Sequence, residues 1–213
     1  MSETLFLGSG QHEVRELEGA LGAELVAVPA SADHALDWSW SGPLESWRAS
    51  VESGPKVDRV VVAPWGGAPV QAPLVELDLD AWLARSELAL ARWVAALGVA
   101  KVRCADGGAI VAVVDRPAPL DCAGWAPESG IADAVEALVR SLARSEGPRG
   151  VRVNAVTTPA RLTRRPVVDP PPPLASFPGT VGHDVLGAVR LLLSPDAAGL
   201  TGTVLHADGG RSW

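Results

Sequence analysis

The sequence predicts an α/β fold, a doubly wound parallel sheet built as one domain over residues 1–213. Two observations carry this. Strand-length runs such as Val60 to Val62 and Ile110 to Val114 are almost continuously apolar, as in strands covered on both faces. Those runs alternate along the chain with segments whose apolar residues recur at helical spacing, the pattern of successive βα units.

The elements follow in order. Thr4 to Leu7 is a first strand, ended by Gly8, Ser9 and Gly10. Val14, Leu17 and Leu21 then mark a helix that stops at Gly22, and Leu25 to Val28 is a second strand. A weaker strand is expected near Ala35 to Trp38. Asp58 to Ala63 is a buried strand stopped by Pro64 and the pair Gly66 and Gly67. A long helix is expected from Ala81 to Leu97, with Asp80 as N-cap and Gly98 as its end.

Ala109 to Val114 is the next strand, and Arg116 to Glu128 reads as loop. Ser129 is placed as the cap of a second long helix, 130–145, followed by a strand over Val151 to Val156. The run 161–179 reads as an irregular loop, stiffened by prolines within 166–173. Asp184 to Leu193 forms a last helix and Gly202 to His206 a last strand. Both long helices are apolar on more than one side, which requires burial on more than one side.

Composition narrows the function. The net charge of −7 argues against a nucleic-acid or anionic-membrane surface, since both need clustered cations. Cys104 and Cys122 lack metal-ligand spacing, as do His12, His34, His183 and His206, so no metal site is expected. Residues 1–7 lack a basic stretch leading into a long apolar run, and the expected location is cytoplasmic. Eight tryptophans stand beside two phenylalanines and no tyrosine; each tryptophan is read first as core packing.

The segment Arg149 to Val156 (R-G-V-R-V-N-A-V) and the tail Leu191 to Gly210, with its L-L-L-S-P, T-G-T-V and D-G-G, resemble the short-chain dehydrogenase/reductases. The resemblance implies a Rossmann-like fold and directs attention to that family's functional positions. Its cofactor loop, T-G-x-x-x-G-x-G, corresponds here to Gly8, Ser9 and Gly10, shortened and lacking the later glycines, with Glu13 and Glu16 close behind. Pro29 stands where a charged residue would contact the ribose. The family's N-N-A-G turn corresponds to Val62 to Trp65, and Trp65 is expected to fill the vacated adenine space.

Registration on Arg140 to Ala143 puts the family's catalytic tyrosine at Glu128, its lysine at Ala132 and its serine at Asp115; the asparagine position falls near Ala89. All four are replaced, so no catalytic residue of that set and no cofactor are expected. Thr163 remains at the spacing of a threonine that lies near the nicotinamide amide.

Three functions are compatible with this pattern. One is a non-catalytic homologue serving as structural or regulatory subunit of a hetero-oligomer with a catalytically complete relative. The resemblance implies association through helices 81–97 and 130–145, a four-helix bundle with Trp82, Leu90, Trp93, Ile131, Val135, Leu138 and Leu142 at the interface, and through the C-terminal tail. Another is a lyase, isomerase or cyclase in which Asp115 and Glu128 share a pocket as acid and base, unless both sit on a solvated loop edge. The third is a small-molecule-binding module in the vestigial cofactor cleft.

Overall fold

The computed structural model describes residues 3–29, 41–119, 122–162 and 181–211. Six parallel strands form one sheet: β1 (Thr4–Gly8), β2 (Glu24–Ala27), β3 (Val57–Ala63), β4 (Cys104–Asp115), β5 (Arg152–Thr158) and β6 (Val204–His206). Their order is β2-β1-β3-β4-β5-β6. The chain moves outward from β1 to β2 and returns to the other side of β1 as β3. This opens the crevice at which doubly wound sheets take ligands, above the carboxyl ends of β1 and β3.

The apolar runs do what continuous hydrophobicity requires. Val60 to Val62 and Ile110 to Val113 are completely buried, with helices on both faces. On one face α1 (His12–Leu21) packs with α6 (Val181–Asp184) and α7 (Leu186–Leu193). On the other, α4 (Glu87–Arg103) packs between α2 (Ser41–Glu52) and α5 (Ala126–Glu146). α1 buries Val14 and Leu17 and ends at Gly22, whose positive φ allows a left-handed cap, with Gly22 and Ala23 donating back to Gly19 and Glu18.

Several boundaries differ from expectation, each for a local reason. α2 had no counterpart in the sequence reading, although Leu44, Trp47 and Val51 lie at helical spacing and pack toward α4. The helix expected from Ala81 begins earlier, as α3 (Leu79–Arg85), capped by Asp78 rather than Asp80; Asp78 Oδ1 accepts from the Ala81 amide at 2.7 Å. It breaks at Ser86, whose hydroxyl donates to the Trp82 carbonyl and competes with the helix ladder.

α4 then runs through Gly98 to Arg103. The guanidinium of Arg48 on α2 lies against Gly98, and Arg103 fastens the end of the helix by donating to the carbonyls of Val51 and Pro55. β4 starts five residues earlier than expected, at Cys104. α5 starts at Ala126, with Pro127 in the first turn, where a missing N–H costs nothing, and Ser129 lies inside the helix rather than capping it.

The last helix is split, α6 and α7 meeting at Val185, and the last strand is only Val204 to His206. The strand expected near 35–38, the proline-rich run 166–173 and Thr163 lie outside the described residues. Cys104 and Cys122 are both free thiols, and burial pushes the Cys104 thiol up to about 11. No described helix is long and apolar enough to cross a membrane.

Candidate functional site

The crevice above the sheet is organised by one arginine. Arg161 follows β5 by three residues, and its guanidinium is almost wholly buried. Nη1 donates to Asp115 Oδ2 at the end of β4, at 2.5 Å, and Nη2 donates to the Gly66 carbonyl beyond β3, at 3.0 Å. Nε lies 3.9 Å from Glu13 Oε1 in the first turn of α1. The guanidinium also stacks on the ring of Trp65, 4.7 Å from its centre. Trp65 is fixed in turn by its indole N–H, which donates to the Val113 carbonyl at 2.9 Å. Arg161 thus ties together the carboxyl-end segments after β1, β3, β4 and β5.

Beside this tie lies a cavity of about 370 Å³ between β3, β4, α3, α4 and the start of α5. Its floor includes Trp65, Val114 and Asp115, and Ala89, Arg92, Trp93, Glu128 and Ile131 form its helical walls. Glu128, in the first turn of α5, accepts both prongs of the Arg85 guanidinium, at 2.9 and 2.8 Å. Among the described residues no three His, Cys, Asp or Glu side chains gather as metal ligands.

Three of the four positions inferred from the catalytic set meet here: Ala89, Asp115 and Glu128 all line the cavity. Ala132, one turn beyond Glu128, is fully buried and does not reach it. Asp115 and Glu128 stand on no solvated loop edge, and they are no bare carboxylate couple either, because each has its own arginine. Those arginines went unnoticed in the sequence, as did Arg92. Arg85 and Arg92, seven residues apart among helical apolar residues, were the available signal.

Asp115 is nevertheless pushed up to about 6 from the usual 3.8. Burial is the main cause; Arg161 opposes it, and the negative charges of Glu13 and Glu128 add to it. Lowering the pH through about 6 is expected to protonate Asp115 and loosen Arg161 over Trp65. Tryptophan emission should report a transition that Asp115→Asn abolishes. A transition unchanged in that variant would not arise from Asp115.

The cofactor-loop positions are built differently from a phosphate cradle. Gly8, at the end of β1, is buried where a β-carbon would meet Val14 Cγ1 at 2.6 Å, so its lack of a side chain serves the approach of α1. Ser9 keeps its hydroxyl buried and unpartnered, and Gly10 is exposed with open space around it. Pro29 follows β2 half-buried. Of the expected interface residues, Trp93 and Val135 are 3 % and 0 % exposed and pack within the core of this chain. Trp82, Leu90, Ile131, Leu138 and Leu142 are half-buried.

Comparison with known proteins gives a fold. No family model matches the chain, and no curated protein matches it. Among solved structures, a short-chain dehydrogenase/reductase from Serratia marcescens is 21% identical with a TM-score of 0.71, matching 99% of this chain and 98% of its own. A blue fluorescent protein from a metagenomic library, solved in complex with NADPH, is 20% identical with a TM-score of 0.69 and the same coverage. BdcA, also solved with NADPH, is 19% identical with a TM-score of 0.70, over 99% of this chain and 94% of its own. At these identities the likeness establishes a Rossmann-like fold of the short-chain dehydrogenase type.

Proposed function

We propose that this chain is a non-catalytic subunit with a short-chain dehydrogenase fold, assembling with a catalytically complete homologue that carries the oxidoreductase chemistry. The observation that carries the reading is the Arg161 tie. A dinucleotide on this fold lies along the carboxyl ends of the strands with its pyrophosphate at the first helix N-terminus. Here that path is crossed by Arg161 with its partners Glu13, Trp65, Gly66 and Asp115. Glu13 brings negative charge to the very turn a pyrophosphate would need. The residues present do not fit a nicotinamide dinucleotide, and the chain contains no tyrosine to serve as the proton-transferring phenol.

The partner surface is sought on the helix layer of α4 and α5. Val94 and Val102 on α4 are 48 % and 41 % exposed, and Trp82, Leu90, Leu138 and Leu142 leave further apolar area uncovered nearby. The test is purification of the tagged chain from its native host, with native mass spectrometry of the complex and calorimetric titration with NADH and NADPH. The expected result is a stoichiometric complex with a homologue bearing the full Ser, Tyr and Lys set, and no saturable cofactor binding by this chain alone. Recovery of a homo-oligomer that binds either nucleotide would overturn the proposal.

A second reading has one observation in its favour. Asp115, held near a pKa of about 6, could exchange a proton at neutral pH in a cofactor-free lyase, isomerase or cyclase. It requires a turnover that Asp115→Asn and Glu128→Gln both abolish.

A further inference from the structure

The cavity holds three guanidinium groups and two carboxylates, and the pairing is uneven. Arg85 is engaged by Glu128, and Arg161 by Asp115 and the Gly66 carbonyl. Arg92, from α4, makes no hydrogen bond or ion pair among the described residues, and its Nε is buried without an acceptor. Its head lies against Gly66: a β-carbon on that glycine would come within 2.9 Å of one of the terminal nitrogens. Burial lowers its pKa, the mark of a half-buried cation with no carboxylate paired to it. A guanidinium keeps its proton under these conditions, so the uncompensated charge remains.

The surroundings define what could compensate it. Pro64, Trp65, Val70, Trp93 and Ile131 give the cavity apolar walls, and its volume falls at the small end of organic-ligand sites. A guanidinium presents a planar fork that a carboxylate meets with two parallel hydrogen bonds. A multiply charged anion would face Asp115 and Glu128 across the same small space, with Glu13 behind Arg161. We infer that this cavity is a binding site for a small organic monoanion, its carboxylate received by Arg92 and its apolar body held between Val70, Trp93 and Ile131. The inference is independent of whether the chain works as a subunit.

The test uses the full chain, with benzoate and hexanoate as probes followed by tryptophan emission and calorimetry, since Trp65 and Trp93 line the cavity. Benzyl alcohol and hexanol are the neutral counterparts, and inorganic phosphate is the competing anion. At least one carboxylate should bind saturably, with its alcohol at least about 10-fold weaker. Arg92→Gln should weaken carboxylate binding by about 10- to 100-fold, the range for a lost charge-assisted pair, and Arg92→Lys should restore part of it. Without ligand, Arg92→Gln should melt at or above the wild-type temperature, because it removes an unpaired charge. Four outcomes would overturn the site: no saturable binding of either acid at millimolar concentration, equal binding of acid and alcohol, undiminished binding by Arg92→Gln, or phosphate displacing both acids at lower concentration.

Discussion

Arg161→Leu is expected to lower stability at pH 8 by about 3–5 kcal/mol, the cost of breaking a buried ion pair from one side. The guanidinium is 2 % exposed and Asp115 14 %, so solvent cannot replace the lost partner. The Gly66 carbonyl loses its donor and the Trp65 ring its cover in the same step. The sign of the pH dependence follows from Asp115. Its folded pKa of about 6 lies above its ordinary value of 3.8, so folding takes up a proton between those limits and stability falls as pH rises through them. Removing Arg161 takes away the positive charge that opposes this shift and raises the folded pKa further. Below about pH 6 Asp115 is protonated in both folded proteins, and the penalty shrinks to the loss of the other contacts. Urea melts of both proteins at pH 5 and pH 8 measure this. Equal losses at the two pH values, or a loss under about 1 kcal/mol at pH 8, would remove Arg161 from the centre of the site.

The second large effect lies on the far side of the sheet from that cavity. Asn154 on β5 is fully buried; Nδ2 donates to the Leu200 carbonyl at 2.8 Å, and Oδ1 accepts from the Thr203 amide at 3.0 Å. The amide thereby holds the turn that delivers β6, together with Thr201 Oγ1, which accepts from the Val153 amide. Asn154→Ala takes the side-chain partner from the part-buried Leu200 carbonyl and Thr203 N–H, each loss worth about 1–3 kcal/mol, and should cost about 3 kcal/mol. For a chain of this size that corresponds to a melting temperature lower by roughly 10 °C. Asn154→Asp should not rescue it, since a carboxylate keeps the acceptor but turns oxygen toward the Leu200 carbonyl. Differential scanning calorimetry of both variants decides the matter, and a fall of only a degree or two in Asn154→Ala would show that the turn holds itself.

Asn154 also shows why much of the fold could be read directly. It sits in the R-V-N-A-V stretch, which is recognisable along the chain even though Asn154 itself bonds some fifty residues away, and the strands are legible because covered faces demand continuous apolar runs. Boundaries were less legible where a side chain reaches across the molecule. α4 persists past Gly98 because Arg103 is fastened to Val51 and Pro55, some fifty residues away, and no helix-stop rule contains that. The site divides the same way. Asp115, Glu128 and Ala89, which the resemblance registers on the family's catalytic positions, line one pocket. Their arginines could not be found that way, because the Arg85–Glu128 and Asp115–Arg161 pairs span 43 and 46 residues and exist only once α3 lies beside α5 and β4 beside β5. An unpaired cation such as Arg92 is less visible still, since what distinguishes it is the lack of a neighbour in three dimensions.

The lengths of the strands have a consequence for how copies of this chain can meet. β4, with twelve residues, lies inside the sheet, whereas β2 and β6, outermost among the described strands, have four and three. A rim that short offers few free amides and carbonyls for an incoming chain to zip onto, so extension by strand addition is poorly rewarded. The long valine-rich segments that would template such growth have both of their hydrogen-bonding margins occupied from within. Among the described strands, the backbone at the rim is thereby kept from becoming a seed for misassembly.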